Sequence, residues 1–348
     1  IGGQTNAFTS MEHTCYHARV LDIHLETMVD ILSDIFLNSV FDEREVARER
    51  PVIFQEIGMV EDSPEEWVHA KISPAFWGSH ALGRSILGTP ENIQGFDSRA
   101  IREFFNSRYQ PDRIVIAAAG NLRHDRLVDL LAPVFSSITA GNGLAARCSP
   151  TDAAGVTCRH RDLEQTHFCL AMRGVSVTDE RRFAASLFNT VLGGNMSSRL
   201  FQTIREERGL AYSIYSFLTS YADAGMLGIY SAVTPEDAGT CIRLIMDQVR
   251  QFRQEPVSKA VLNDAKAFIK GNLLMAEESP ENQMVRLAQN EFYFGRHIPT
   301  QRVIDRIDTV AAGDFLDLTD GLWNDGHVAL TILGPGVEKD DFSETLVL

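Results

Sequence analysis

The stretch GGNMSSRLFQTIREERGLAYSIYSF, residues 193–217, says the most about the fold of this chain. Its first part predicts a helix, and its second part, with Tyr, Ile and Phe alternating with Ser, predicts a β-strand. Gly209 lies between the two parts, where a glycine commonly ends a helix. Arg205 is therefore predicted at the end of a helix and Tyr212, seven residues later, at the start of a strand.

Arg205 and Tyr212 are suited to hold a peptide carbonyl or an oxyanion. The guanidinium would supply positive charge and the phenol a hydroxyl donor. The two side chains could equally serve only as caps of the helix and the strand, and their residue types alone leave both interpretations open.

Segments with the apolar periodicity of a helix and segments with that of a strand flank this stretch. The alternation over 1–21 suggests a strand or hairpin, the pattern over 21–40 predicts an amphipathic helix, and DRIVIAAAGNL (112–122) predicts a strand. Pro51, inside a further helical pattern, is expected to start a turn or a kink. The order of elements returns after residue 156, which suggests an internal duplication. We therefore predict an α+β fold of two homologous domains, each a mostly antiparallel sheet packed with helices, with domains at 1–139 and 157–348 and a linker at 140–156.

Composition limits the partners. The formal charge of −15 and the pI near 5.1 argue against nucleic acid and anionic membranes, since both are polyanions. The longest apolar runs are far shorter than the roughly 20 residues that span a bilayer. Five cysteines without a CxxC pair fit neither a disulfide framework nor a cysteine zinc site, so a reducing compartment is the simplest expectation.

Two carboxylates, Glu49 and Glu56, lie seven residues apart in a helical pattern and so on nearly the same face. They could serve one site, or form a solvated acidic face. The zinc motifs HExxH and HxxEH are absent, and TSMEH (9–13) has Thr9 in place of the first histidine. His13, Cys15 and His17 share a strand face, which alone is weak support for a metal. For His69 and His80, which have no ligand spacing, we expect surface or capping roles.

Four segments carry a resemblance when they are taken in their order along the chain. They are GGQTNAFTSMEHTCYHA, RERPVIFQEI, HALGRSILGTPENI and GGNMSSRLFQTIREERGLAYSIYSF. Together they resemble the pitrilysin/insulinase family of zinc metallopeptidases, and within it the mitochondrial processing peptidase-like branch and its bacterial relatives. The resemblance extends over essentially the whole chain and implies a pitrilysin-like (LuxS/metalloprotease-type) architecture.

The resemblance implies a role for several residues. Glu56 matches the distant glutamate that ligates Zn2+, and Glu49 matches the second acidic residue that supports the metal site. Arg205 and Tyr212 match the Arg/Tyr pair that reaches the substrate. The HxxEH helix that provides the other ligands is expected before Ile1, so the chain as given is expected not to bind zinc in the family's manner.

Substrate recognition is implied as well. Asn6, Ala7 and Phe8 match the edge strand that pairs with an extended peptide. Glu66 matches an acidic position that recognises an arginine of the substrate, whereas Ala70 stands where the branch has another acidic residue. A strict preference for arginine is therefore not expected.

The sequence thus favours a zinc endopeptidase that encloses extended peptides between homologous domains, as a homodimer or with a paired subunit, in the bacterial cytoplasm or an organellar matrix. The alternative is a non-catalytic family member that acts as a structural or partner subunit. A third possibility is a truncation product, which would expose apolar surface and aggregate.

Overall fold

The computed structural model describes residues 1–136, 138, 147–323, 327–336, 338, 342 and 345–346. Its strands are β1 Gln4–Thr9, β2 Thr14–Arg19, β3 Val156–His160, β4 Thr166–Arg173, β5 Ala211–Ser220, β6 Gly225–Val233 and β7 Ala329–Gly334. Its helices are α1 Leu25–Leu37, α2 Glu43–Asp62, α3 Pro64–Trp77, α4 Pro90–Gly95, α5 Ser98–Arg108, α6 His124–Phe135, α7 Arg182–Leu192, α8 Ala238–Gln254, α9 Lys259–Ala276, α10 Pro280–Phe294, α11 Thr300–Thr309 and α12 Gly313–Leu322.

The chain forms two compact units. The first unit comprises 1–58, 86–147 and 275–297, and the second comprises 59–85, 148–274 and 298–348. Each unit is assembled from separate segments of the chain. Residues 140–146 of the predicted linker lie outside the described residues, and the domain bounds 1–139 and 157–348 stay a prediction.

The second unit is built on a five-stranded sheet in the order β3-β7-β4-β6-β5. Only the β3–β7 pairing is parallel within the described ladders. Alternate side chains of each strand face opposite sides of the sheet. Helices α7, α8 and α12 pack on one face, around buried residues such as Phe168, Leu170 and Ile332.

Helix α3 covers the other face of this sheet. Its side chains Val68, Ile72 and Phe76 are almost fully buried. The Thr331 hydroxyl on β7 donates a hydrogen bond to the Val68 carbonyl at 2.9 Å, which fixes the helix to the sheet at that point. The predicted α+β class with mostly antiparallel strands is confirmed.

The first unit contains the predicted hairpin and amphipathic helix. Strands β1 and β2 pair antiparallel as a two-stranded sheet, and α1 follows. The Phe36 ring of α1 lies among the rings of Tyr16, Phe105, Tyr109 and Phe135, at centroid distances between 5.6 and 6.3 Å.

Two local predictions failed in whole or in part. Helix α2 contains Pro51 in its interior, so the turn expected there is wrong, whereas the kink stays a prediction. Proline removes one helical hydrogen bond, and the exposed helix leaves the freed carbonyl to water. The chain instead breaks at Ser63, just before Pro64. Residues 114–119 do not form a strand, since they are in no described ladder and a strand requires a paired neighbour.

Candidate functional site

Arg205 lies in a π-helical segment, Phe201–Glu206, which widens the end of the predicted helix. Gly209, with φ of 63°, ends the segment. The Gly209 N–H donates to the Arg205 carbonyl and the Leu210 N–H to the Ile204 carbonyl, both at 3.0 Å. A single extra residue in a helical turn changes which side chains share a face, and such π-bulges are frequent at functional sites.

Tyr212 occupies a β-bulge. Ala211 pairs with Val233 and Ser213 with Ala232, so Tyr212 is the extra residue of strand β5. Its side chain is 80% exposed although β5 is a strand of the main sheet. A bulge re-aims one side chain without breaking the ladder, and bulges occur often beside active sites.

The two irregularities bring Arg205 and Tyr212 together. The Arg205 Cζ lies 4.7 Å from the centroid of the Tyr212 ring and 4.6 Å from that of Phe201, so the guanidinium makes cation–π contacts with two aromatic rings. The Arg205 Nε is also 3.7 Å from a carboxylate oxygen of Glu206. Stacking restrains the plane of the guanidinium and leaves its N–H edge able to bind a carbonyl or an oxyanion.

Packing explains a glycine in the pair Gly193 and Gly194, which begins the stretch 193–217. The Ser216 N–H of β5 donates to the Gly193 carbonyl at 3.1 Å. A Cβ atom on Gly193 would lie 2.6 Å from the Ser216 nitrogen, so only glycine permits this approach. The turn after α7 therefore lies directly against the strand that carries Tyr212.

In the first unit, Asn6, Ala7 and Phe8 lie on β1 and are exposed. In the described sheet β1 pairs only with β2, so its other edge is available to an added strand. The Ala7 N–H donates to the Asn6 side-chain oxygen at 2.8 Å, a bond that an added strand would have to replace if it used that amide. The Phe8 ring contacts the rings of His13 and His17 edge-on.

Glu49 and Glu56 are both exposed on α2, and neither has a hydrogen-bond or ion-pair partner among the described residues. Seven residues of helix separate them by roughly 10 Å along the axis, too far for the two to bind one ion as neighbouring ligands. The described part of the chain contains no group of three His, Cys, Asp or Glu residues that could hold a metal ion. The described residues therefore contain no complete zinc site, and Glu56 is the one residue among them for which the family resemblance implies a ligand role.

Glu66 lies in the first turn of α3, in the second unit, and is exposed. Its N–H donates to the side chain of Ser63, which caps the helix, at 3.4 Å. A carboxylate in the first turn is also favoured by the helix dipole. The Glu66 side chain is therefore free to meet a cation from solvent.

A polar cluster beside Glu66 was not predicted from any local sequence pattern. The Tyr215 hydroxyl donates to the Glu65 carboxylate at 2.8 Å and lies 2.9 Å from the His69 Nε2. Tyr230 and His167 form a second pair, with the hydroxyl 2.9 Å from Nδ1. The surface or capping role expected of His69 is wrong, because its ring is half-buried between α3 and the sheet. His80 does cap a turn, accepting the Leu82 N–H.

Burial sets the protonation of this cluster. It raises the pKa of Tyr215 and of Tyr230, so both phenols keep their protons. It lowers the pKa of His69 more than the nearby Glu65 and Glu66 raise it. The Tyr215 hydroxyl has a single proton, which it donates to Glu65. In the contact between Tyr215 and His69, the hydrogen must therefore be on the His69 Nε2, which donates to the Tyr215 oxygen.

Comparisons with known proteins bear on this site. A family profile described as Insulinase (Peptidase family M16) matches residues 1–90, and one described as Peptidase M16 inactive domain matches residues 96–269. A protein of Bacillus subtilis named as the uncharacterized zinc protease YmxG is 37% identical over 335 residues, which are 96% of this chain and 81% of that protein. The chain belongs to peptidase family M16.

Other M16 relatives agree. An uncharacterized zinc protease of Rickettsia felis is 32% identical over 96% of this chain and 81% of its own length. A solved protease from Helicobacter pylori has a TM-score of 0.87 at 18% identity, covering 96% of this chain and 82% of that one. A peptidase M16 inactive domain from Pseudomonas fluorescens has 0.86 at 20% identity, covering 97% and 81%. The structural likenesses show the fold, and the family profiles and sequence relatives confirm the predicted family.

The comparisons include one structure that is not described as a protease. A chain of complex III2 from Candida albicans has a TM-score of 0.86 at 16% identity, with 100% of this chain and 86% of that chain covered. The fold therefore occurs in a chain of that complex as well as in proteases. Among the described helices of this protein, none has the length and apolarity needed to cross a bilayer.

Proposed function

We propose that this protein is a zinc-dependent endopeptidase that acts on extended peptides or unfolded segments. Its Arg205 and Tyr212 would hold the peptide backbone, and Glu56 would contribute one ligand to the metal, with Glu49 supporting it. The observation that carries the proposal is the contact of the Arg205 guanidinium with both the Phe201 and the Tyr212 ring, because a donor restrained in this way can bind a carbonyl without being reordered. The names of the relatives, zinc proteases, support the same reaction class.

Other contacts of the proposed site serve recognition. The exposed edge of β1, with Asn6, Ala7 and Phe8, would pair with the peptide backbone. Glu66 would attract a basic side chain of the peptide. The described residues supply no complete zinc site, so what they support is binding and orientation of the peptide.

The test combines metal content, intact mass and cleavage. The intact protein is purified, zinc is measured by elemental analysis, and cleavage of a quenched fluorescent peptide is followed with and without a chelator. Glu56→Gln should lower both zinc content and cleavage, and Arg205→Lys should lower cleavage about 100-fold with zinc unchanged, the size expected for loss of a fixed donor. Glu45→Gln is the control, because Glu45 is an exposed residue of the same helix paired only with Arg48.

The second candidate function is a non-catalytic subunit. It is favoured by the match of residues 96–269 to a family described as Peptidase M16 inactive domain. If the purified protein contains no zinc and shows no chelator-sensitive cleavage, the non-catalytic function is supported and the peptidase function is contradicted. A homodimer or a paired subunit is proposed in either case, and the mass in solution measures it.

A further inference from the structure

Helix α3 carries Glu66, an exposed residue that is predicted to contact a basic side chain of the peptide. Two nearby residues of the same helix, Glu65 and His69, are hydrogen-bonded to the sheet. Glu65 and His69 lie four residues apart and therefore on one face of the helix. Both contact the same atom, the Tyr215 hydroxyl of β5, at 2.8 and 2.9 Å. This hydroxyl is thus the polar connection between the first turns of α3 and the edge strand of the sheet.

The rings around this hydroxyl restrict its position. The His69 ring stacks on Tyr215 with an interplanar angle of 10° and lies 5.3 Å from the Tyr230 ring. The Tyr215 and Tyr230 rings are 5.1 Å apart. Ring contacts of this kind hold Tyr215 in one rotamer, so its hydroxyl has a fixed direction.

Strand β5 also carries Tyr212, three residues before Tyr215. The same short strand therefore positions one predicted contact with the peptide directly and holds a second, Glu66, through its neighbour Glu65. Residues in the first turn of a helix have few helical hydrogen bonds and move easily unless side chains bind them. Tyr215 supplies such a bond at this place.

We propose that Tyr215 is a specificity-determining positioning residue, whose hydroxyl holds the first turn of α3 on β5 and so sets where Glu66 meets a basic side chain of the peptide. The inference rests on the proposed function, in which Glu66 contacts substrate. It is separable from catalysis, because it concerns which peptide binds and not which bond breaks.

The test uses two peptides that differ only by an arginine-to-norleucine exchange. Reduced-amide versions, which are not cleaved, are labelled, and their affinities for the intact protein are measured by fluorescence anisotropy. Wild type should prefer the arginine peptide by about three- to fivefold, the size of an exposed ion pair. Tyr215→Phe and Glu66→Gln should each remove this preference, and the double variant should show no further loss.

Tyr230→Phe is the matched control. It also removes a hydroxyl of the same cluster, but one on a fully buried side chain and bonded to His167 of β4, not to α3. It should lower the thermal midpoint at least as much as Tyr215→Phe and should keep the preference. Equal loss of preference in both variants would mean a merely structural role and would overturn the proposal.

The remaining outcomes separate this inference from the proposed function. A preference that Tyr215→Phe leaves intact, or its absence in wild type, overturns the positioning role even if ordinary peptides are cleaved. A preference lost as expected, in a protein that cleaves no peptide, supports the positioning role and contradicts the peptidase.

Discussion

The two units differ in how completely they bury similar sequence patterns. In α8 of the second unit, Ile242, Ile245 and Val249 are fully buried. In α1 of the first unit, Ile31 and Ile35 belong to an equally regular apolar stripe, yet they are 42% and 46% exposed. Among the described residues, full burial in the first unit is limited to Leu25, Val29, Ser33 and Asn290.

The width of the sheets accounts for part of this difference. Strands lie about 5 Å apart, so a two-stranded sheet is about as wide as one helix, whereas a five-stranded sheet covers helices side by side. An amphipathic pattern therefore predicts which face of a helix is apolar but not how much of that face is covered. The depth of burial depends on the strands that the rest of the chain provides.

The largest expected effect is separate unfolding of the two units. Trp67, Trp77 and Trp323 are the only tryptophans of the chain, and all lie in the second unit. In a urea titration, circular dichroism should therefore begin to change at a lower concentration than tryptophan fluorescence, since the first unit buries less apolar surface. Coincident transitions would show that the two units unfold together and would contradict the expected difference in their stability.

A matched pair of core substitutions measures the same difference at single residues. Ile245→Ala should lower the free energy of unfolding by about 2–5 kcal/mol, because it leaves a cavity in a closed core. Ile35→Ala should cost less than about 1 kcal/mol, because its side chain is already half in water. Chemical denaturation followed by fluorescence for the first variant and by circular dichroism for the second gives both values, and equal losses would contradict the comparison.

A smaller effect is expected at the exposed site of the second unit. Phe201→Leu keeps the Arg205 charge but removes one of the two rings that restrain it, so peptide affinity should fall about two- to fivefold, as expected for one cation–π contact. The control is Phe268→Leu, an exposed phenylalanine of α9 in the same unit. Fluorescence anisotropy with the reduced-amide peptide measures both. Unchanged affinity in Phe201→Leu would mean that the contact with the Phe201 ring does not position Arg205.

The smallest effect is a pH dependence of the second unit's stability. Burial lowers the pKa of His69 and of His167, so below the ordinary value of about 6.5 the unfolded chain binds more protons than the folded one. Stability should be complete above this pH and should fall as the pH drops below it.

This dependence is measured as the urea midpoint of tryptophan fluorescence at several pH values between about 7.5 and 5. The double variant His69→Gln/His167→Gln should show a flatter profile between these limits. A wild-type midpoint that rises on acidification would contradict the assignment.

Much of the local structure was predictable, and the failures have physical causes. Gly209 ends its helical segment and the hairpin over β1 and β2 forms, because glycine conformation and side-chain alternation act over a few residues. Helix α2 passed through Pro51 and residues 114–119 did not become a strand, because context decided the outcome in both cases. The candidate site was predictable only in part. His69 and Tyr215 are 146 residues apart, and no local sequence pattern predicts that they are in contact.

The sequence by itself determined the α+β class, because periodicity is a property of neighbouring residues, and its resemblance to known proteins determined the M16 family. It also predicted Arg205 and Tyr212 as a pair. Only the tertiary structure decided that a π-helical segment and a β-bulge stack this guanidinium against Phe201 and Tyr212. It alone also decided that Tyr215 binds Glu65 and His69. Such contacts depend on the packing of a helix against a sheet, and packing joins residues that the sequence keeps far apart.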